Sequence, residues 1–174
     1  SGDIALIELR VREVLSAHPP VTGAYSRYGW DHPGPVLFWI AAAPYRSLGG
    51  DARALALVAI ALNAIGIVVL LRLAARLGRA AWFAVAGALV ALVVGLSPDA
   101  LASVWNVTVT NVALLLFVVA CWGVWCEVAR AGWIALVAGS FVVQSHVGTG
   151  VMIGPLAIAT LTCVVWRWWT RDGH

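Results

Sequence analysis

Ala54-Leu-Ala-Leu-Val-Ala-Ile-Ala61-Leu-Asn63-Ala-Ile-Gly-Ile-Val-Val-Leu-Leu71 places 18 residues without a charge between Arg53 and Arg72. As a helix rising about 1.5 Å per residue this run reaches roughly 27 Å, enough to cross a hydrocarbon core. Further uncharged runs follow at about Ala80–Ser97, about Val104–Cys126 and Ala131–Trp166. The last is too long for one crossing. Its polar, glycine-rich interruption Gln144-Ser145-His146-Val147-Gly148-Thr149-Gly150 is expected to break it into a helical hairpin. The fold expected is therefore an all-α, polytopic transmembrane bundle of about four spans over residues 54–174, the last of them broken, preceded by a polar loop over residues 1–53. Asn63, in mid-span, is read as interhelical glue.

Composition agrees. Hydrophobic residues make up 62% of the 174-residue chain and charged residues 11%, with a mean hydropathy of +0.93. An average soluble domain has about 45–50% apolar and about 25% charged residues, so the lipid bilayer is the first partner implied. The net charge of +3 comes from 11 basic residues, all of them Arg. They are spread over loops and not gathered on one face, which argues against nucleic acid as a partner. Cys121, Cys126 and Cys163 all lie in apolar runs and read as small hydrophobes; their spacing matches no zinc or disulfide pattern, so no metal site is assigned. The polar start, with no hydrophobic stretch ahead of it, creates the expectation that this is the N-terminal part of a longer membrane protein that has a further span before it. The Ala/Val/Leu/Gly/Arg bias points to a GC-rich bacterial genome and hence to a bacterial plasma membrane.

Arginine bias in short loops sets the expected orientation. Arg72, Arg76 and Arg79 crowd the first loop, Arg130 the third, and Arg167 and Arg171 the tail, so these ends are expected in the cytoplasm. Residues 1–53, the Ser97–Asn106 turn and the 144–150 break then share the outer side. Within residues 1–53, five arginines balance five acids. Ile4, Ile7, Val11, Val14 and Leu15 recur at helical spacing, with Glu8 and Arg12 as an i,i+4 pair on the other face. That pattern predicts an amphipathic helix lying in the membrane interface and stopped by Pro19-Pro20. A second short helix, Val36 to about Ala43, is expected to lie flat before Pro44. Because the run Ala131–Val143 reaches only about 20 Å, the 144–150 break is expected below the outer surface, in a protein-lined cavity.

The order of these features resembles the polyprenyl-phosphate-dependent glycosyltransferases of the C superfamily, nearest to the protein O-mannosyltransferases and the bacterial aminoarabinose and arabinosyl transferases of actinobacterial type. The resemblance rests on Asp3 opening the loop, His32-Pro33-Gly34-Pro35 with Phe38 and Trp39, Gly49-Gly50-Asp51-Ala52-Arg53 entering the first span, Ser97-Pro98-Asp99 as an outer turn, and the break at Gln144–Gly148. It covers most of this chain and roughly the N-terminal third to half of a typical family member. Here the turn reads His-Pro-Gly-Pro where the family favours Pro-Pro, and His146 stands where lysine is common.

The resemblance implies a membrane enzyme that takes a sugar from a polyprenyl phosphate on the outer face, for cell-envelope glycan or protein glycosylation. It implies Asp3 as the base that deprotonates the acceptor hydroxyl, with inversion at the anomeric carbon; as a plain helix N-cap, Asp3 would instead serve the helix beginning at Ile4. Arg27 and His32 are candidates to hold the donor phosphate, an anionic leaving group, against the alternative of interfacial solvation. His146, an ionisable residue near membrane depth, is a third candidate contact, with Gln144 beside it and Asn106 and Asn111 as candidates to face the same space. Asp31 is a candidate partner for Arg27. Tyr25, Tyr28, Trp30 and Trp39 read first as interfacial belt aromatics and second as sugar platforms, and Trp166, Trp168 and Trp169 as a cytoplasmic anchor. No cofactor is assigned, and a divalent cation at the donor phosphate is left open. Two other classes compete: a transporter that binds a solute at the 144–150 break, and a non-catalytic scaffold or assembly subunit.

Overall fold

The computed structural model describes residues 2–26, 28–97 and 99–171. Helix accounts for 76% of the described residues, and among them the sheet is limited to one two-stranded ribbon. The uncharged runs become helices in chain order: α3 (Arg53–Leu77), α4 (Arg79–Gly95), α5 (Asn106–Val109), α6 (Asn111–Trp125), α7 (Ala131–Ser145) and α8 (Gly150–Arg171). Helix α3 outruns the uncharged stretch, continuing through Arg72 and Arg76 until Gly78, whose φ of 118° no side-chain-bearing residue adopts easily. Helices α5 and α6 are one 20-residue span bent at Thr110. The buried Thr110 hydroxyl donates back to the Asn106 carbonyl at 2.9 Å, a local bond that competes with the helix ladder. Among the described residues, three stretches are long and apolar enough to cross a membrane: Arg53–Leu77, Asn106–Trp125 and Val147–Thr170. Helices α4 and α7, at 17 and 15 residues, are shorter.

The bundle packs through small residues. A methyl group on Gly123 would lie 2.9 Å from Cβ of Ala131 and 3.4 Å from Cδ1 of Leu73; one on Gly139 would lie 2.9 Å from the ring of Phe117. These close approaches bring α6, α7 and the second half of α3 around a core of Leu70, Leu73, Phe117, Ala120, Cys121 and Val142. Contacts between helix ends give the direction: α3, α6 and α8 finish where α7 begins, so they run one way and α7 the other. One end of the bundle is thereby the arginine end. Arg76 donates to the carbonyl of Ala129 at 3.5 Å; Arg167 donates to the carbonyls of Val124 (3.1 Å) and Trp125 and pairs with Glu127 at 3.5 Å.

The opposite end carries a cap made of α1 (Gly2–Glu13), the ribbon β1 (Tyr25–Ser26) and β2 (Trp30–Asp31), and α2 (Val36–Ser47). The predicted apolar stripe of α1 exists, but protein covers it. Ile7, Val11 and Val14 are buried against Phe38, Ala41 and Tyr45 of α2 and Leu55 of α3, while Leu15 falls beyond the helix and is exposed. The Glu8–Arg12 pair forms at 2.6 Å. Its function is tertiary: the Tyr45 hydroxyl donates to Glu8 at 2.7 Å and accepts from Nε of Arg12 at 2.7 Å, joining α1 to α2. Helix α2 does not stop at Pro44 but carries one turn past it to Ser47, where Leu48 N–H and the Ser47 hydroxyl both donate to the Pro44 carbonyl. Asn63 ties α3 to the short turn at 100–102 and not to another span, its amide donating to the Leu101 carbonyl at 2.9 Å.

Candidate functional site

The site begins with how the 19–35 loop reaches the end of α7. Pro19 and Pro20 keep the chain out of helix after α1. Tyr25 and Ser26 then pair antiparallel with Asp31 and Trp30, across a turn in which Gly29 takes φ 89°. The ladder continues outward: His32 N–H donates to the Ala24 carbonyl (2.9 Å) and Gly23 N–H to the His32 carbonyl (2.8 Å). The loop next joins α7, with Gly34 N–H donating to the Gln144 carbonyl at 3.1 Å. This seating needs glycine for space. A methyl group on Gly23 would lie 2.8 Å from the Gly34 carbonyl oxygen and 3.1 Å from that of Gln144, and one on Gly34 would strike the Gln144 side chain. Val147 N–H, inside the break, completes the seating by donating to Nδ1 of His32 at 3.2 Å.

Docking encloses a cavity of about 340 Å³ at the cap end of the bundle. Asp3 from α1, His32 from the ribbon, Asn106 from the start of α5 and His146 from the break all line it. His32 is buried, and because its Nδ1 accepts from Val147 the imidazole is the tautomer with its proton on Nε2. Burial, then the neighbouring His146, hold the His32 pKa below its ordinary value, with Asp31 pulling weakly the other way. His146 is also shifted down, by burial. The two rings meet edge to face, centroids 5.2 Å apart, and Nδ1 of His146 is buried without a hydrogen-bond partner. Asn106 is buried, its amide donating to the Ser145 carbonyl at 3.1 Å, so it fixes the start of the break. The cavity thus offers a carboxylate and two neutral imidazoles, which can donate or accept according to tautomer and become cationic when an anion repays the proton.

Of the six residues singled out from the sequence, these four converge. Arg27 lies outside the described residues. Gln144 is turned away: its side chain donates to the Ser140 hydroxyl one helical turn back at 2.8 Å, packs on Gly34 and faces a separate apolar groove between α3 and α7. Its contribution is the backbone carbonyl that seats the loop. Asp3 sits in the first turn of α1, which starts at Gly2, and not at the cap. Asp31 is held by the Thr22 hydroxyl at 3.0 Å. Trp105 also lines the cavity and had no distinguishing signal in the sequence. Among the described residues no three His, Cys, Asp or Glu side chains are grouped to hold a metal ion. The chain matches no family model, no curated protein and no solved structure.

Proposed function

We propose that this chain is the lipid-phosphate-handling part of a polytopic membrane glycosyltransferase, which takes a sugar from a polyprenyl phosphate on the exoplasmic face of a bacterial plasma membrane. The observation that carries the reading is the convergence of Asp3, His32, Asn106 and His146, from four distant segments, on one cavity at the end of the bundle away from Arg76 and Arg167. With the arginine end in the cytoplasm, the cavity opens outside, where acceptors of the cell envelope are.

In this reading the donor phosphate lies against the two imidazoles. Nε2–H of His32 is aimed by the Val147 N–H that occupies its other nitrogen, a fixed donor that needs no reorganisation when charge develops on the leaving phosphate. His146, which lines the same cavity, supplies the second contact. Asp3, exposed at the mouth, takes the proton of the acceptor hydroxyl as that oxygen attacks the anomeric carbon; the C–O bond to phosphate breaks and its electrons leave with the lipid phosphate. Reconstituted in vesicles with a radiolabelled polyprenyl-phosphate sugar, the protein is expected to bind the lipid, and Asp3→Asn to bind it equally while losing transfer. Equal transfer by the two removes Asp3 as the base, and no binding of any polyprenyl phosphate by the parent overturns the reading.

A further inference from the structure

The cavity carries a feature that phosphate chemistry leaves unused. Four aromatic side chains line it alongside the carboxylate and imidazoles: Tyr25, Tyr28 and Trp30 from the ribbon and Trp105 from the entry to α5. Tyr28 in the turn and Trp30 in β2 flank Gly29, whose φ of 89° reverses the chain between them. Their centroids are 5.4 Å apart and their planes only 19° from parallel, so the two rings stack on one another, and the stacked pair lines the cavity. Tyr28 is 66% and Trp30 50% exposed, which separates them from core aromatics such as Phe38. Aromatics of a membrane belt are distributed around the perimeter of a bundle at headgroup level; these four converge on a single cavity from two parts of the chain.

We infer that the Tyr28–Trp30 pair, with Tyr25 and Trp105 beside it, is the surface on which the sugar ring of the donor stacks. The inference rests on the lipid-phosphate reading of His32 and His146 and adds the surface that holds the sugar on that phosphate. A pyranose or furanose presents one face of polarised C–H bonds, which the negative face of an aromatic ring attracts, and a rim of hydroxyls that need polar partners. The Asp3 carboxylate and the Tyr and Trp polar edges supply partners around the same space. The volume of about 340 Å³ falls in the range of small-molecule sites, about 300–1,000 Å³, and accommodates a monosaccharide phosphate with the lipid chain left outside. A bare lipid phosphate would use the imidazoles alone.

The test compares binding of polyprenyl-phosphomannose, polyprenyl-phosphoarabinose and bare polyprenyl phosphate to the protein in nanodiscs, for the parent, the Tyr28→Ala/Trp30→Ala double variant and Trp30→Phe. The parent is expected to prefer one sugar-bearing lipid over the bare one by about five- to ten-fold, the scale of an aromatic contact. The double variant is expected to lose that preference while binding the bare lipid as the parent does, which also shows that it is folded, and Trp30→Phe to keep most of it. A parent without preference, or a double variant that retains it, overturns the sugar platform while leaving lipid-phosphate binding intact. Loss in the double variant of a soluble methyl mannoside or arabinoside, with the lipid preference unchanged, moves the platform to the acceptor and overturns the donor assignment. Failure of the parent to bind any of the three lipids removes both readings together.

Discussion

Gly23→Ala is the substitution that tests whether the loop seats on the end of α7 as described. Its backbone φ is ordinary, so the effect is one of space alone. The added methyl meets the Gly34 carbonyl oxygen at 2.8 Å, the Gln144 carbonyl oxygen at 3.1 Å and Cβ of His32 at 2.8 Å. None of these is the movable tip of a side chain, so the loop must lift. Overpacking of this kind costs about 1–3 kcal/mol, and a value near 2 kcal/mol corresponds to about 30-fold in the docked-to-undocked ratio. The reporter is the Val147 amide, whose bond to Nδ1 of His32 exists only when the loop is docked. Hydrogen–deuterium exchange in nanodiscs is expected to show its protection reduced by about 30-fold, with amides inside α6 unchanged. Gly34→Ala supplies the comparison. There the methyl meets the Gln144 side chain, which can swing away for the loss of its bond to Ser140, about 1 kcal/mol or about five-fold. Unchanged Val147 protection in Gly23→Ala, or a larger effect from Gly34→Ala, refutes the seating.

Docking is also expected to weaken in acid. An undocked His32 takes a proton near about pH 6.5, whereas the docked one, its pKa lowered by burial and by His146, resists; stability is therefore complete above about 6.5 and falls as pH drops through it toward the docked value. Val147 protection, corrected for intrinsic exchange, should decline between about pH 7.5 and about pH 5.5, and His32→Asn/His146→Asn, which cannot titrate, should flatten the profile. In the bundle, Gly139→Ala drives a methyl to 2.9 Å from the buried Phe117 ring and should destabilise by about 1–3 kcal/mol in detergent unfolding, part of it recovered by Phe117→Leu. Tyr45→Phe removes the hydroxyl that both Glu8 and Arg12 use and should cost about 1–2 kcal/mol of α1–α2 contact. Because that hydroxyl is the main cause of the lowered Glu8 pKa, carbon NMR should show the Glu8 titration moving up in Tyr45→Phe. The parent's contribution from Glu8 is present above the ordinary carboxylate range and lost as pH falls through the range; the variant loses less.

The helices were legible because charge is costly in an apolar bundle. Uncharged runs bounded by Arg53, Arg72, Arg79 and Arg130 mark where helices pack, and the polar interruption at 144–150 marks where α7 gives way to α8. The same rule hid the bounds that charge does not set. Arg72 and Arg76 sit inside α3 because its last turns lie at the arginine end, where side chains reach solvent. Pro44 lies within α2 because a proline forfeits one ladder bond and strains one turn, which packing of Tyr45 against α1 outweighs. Periodicity found the apolar stripe of α1 correctly, yet periodicity cannot say what covers a stripe. Lipid and a second helix solvate Ile7 and Val11 alike, and here the Tyr45 hydroxyl between Glu8 and Arg12 shows it to be a helix.

The candidate site divides along a similar line. Polar and ionisable residues in an apolar chain stand out one at a time, which is why Asp3, His32, Asn106 and His146 could be named from the sequence. What joins them could not, because it is backbone. The Val147 N–H that orients His32 lies 115 positions away, and the Gln144 carbonyl that seats Gly34 belongs to a residue whose side chain points elsewhere. Gly23 and Gly34 permit both contacts through the absence of a side chain, which no count of polar groups registers. A search for site residues by functional group therefore selects Gln144 for its amide, when its amide serves Ser140 and its carbonyl serves the site. It passes over Gly23, whose replacement by alanine should do more to the Val147–His32 bond than any polar-to-apolar change at Gln144.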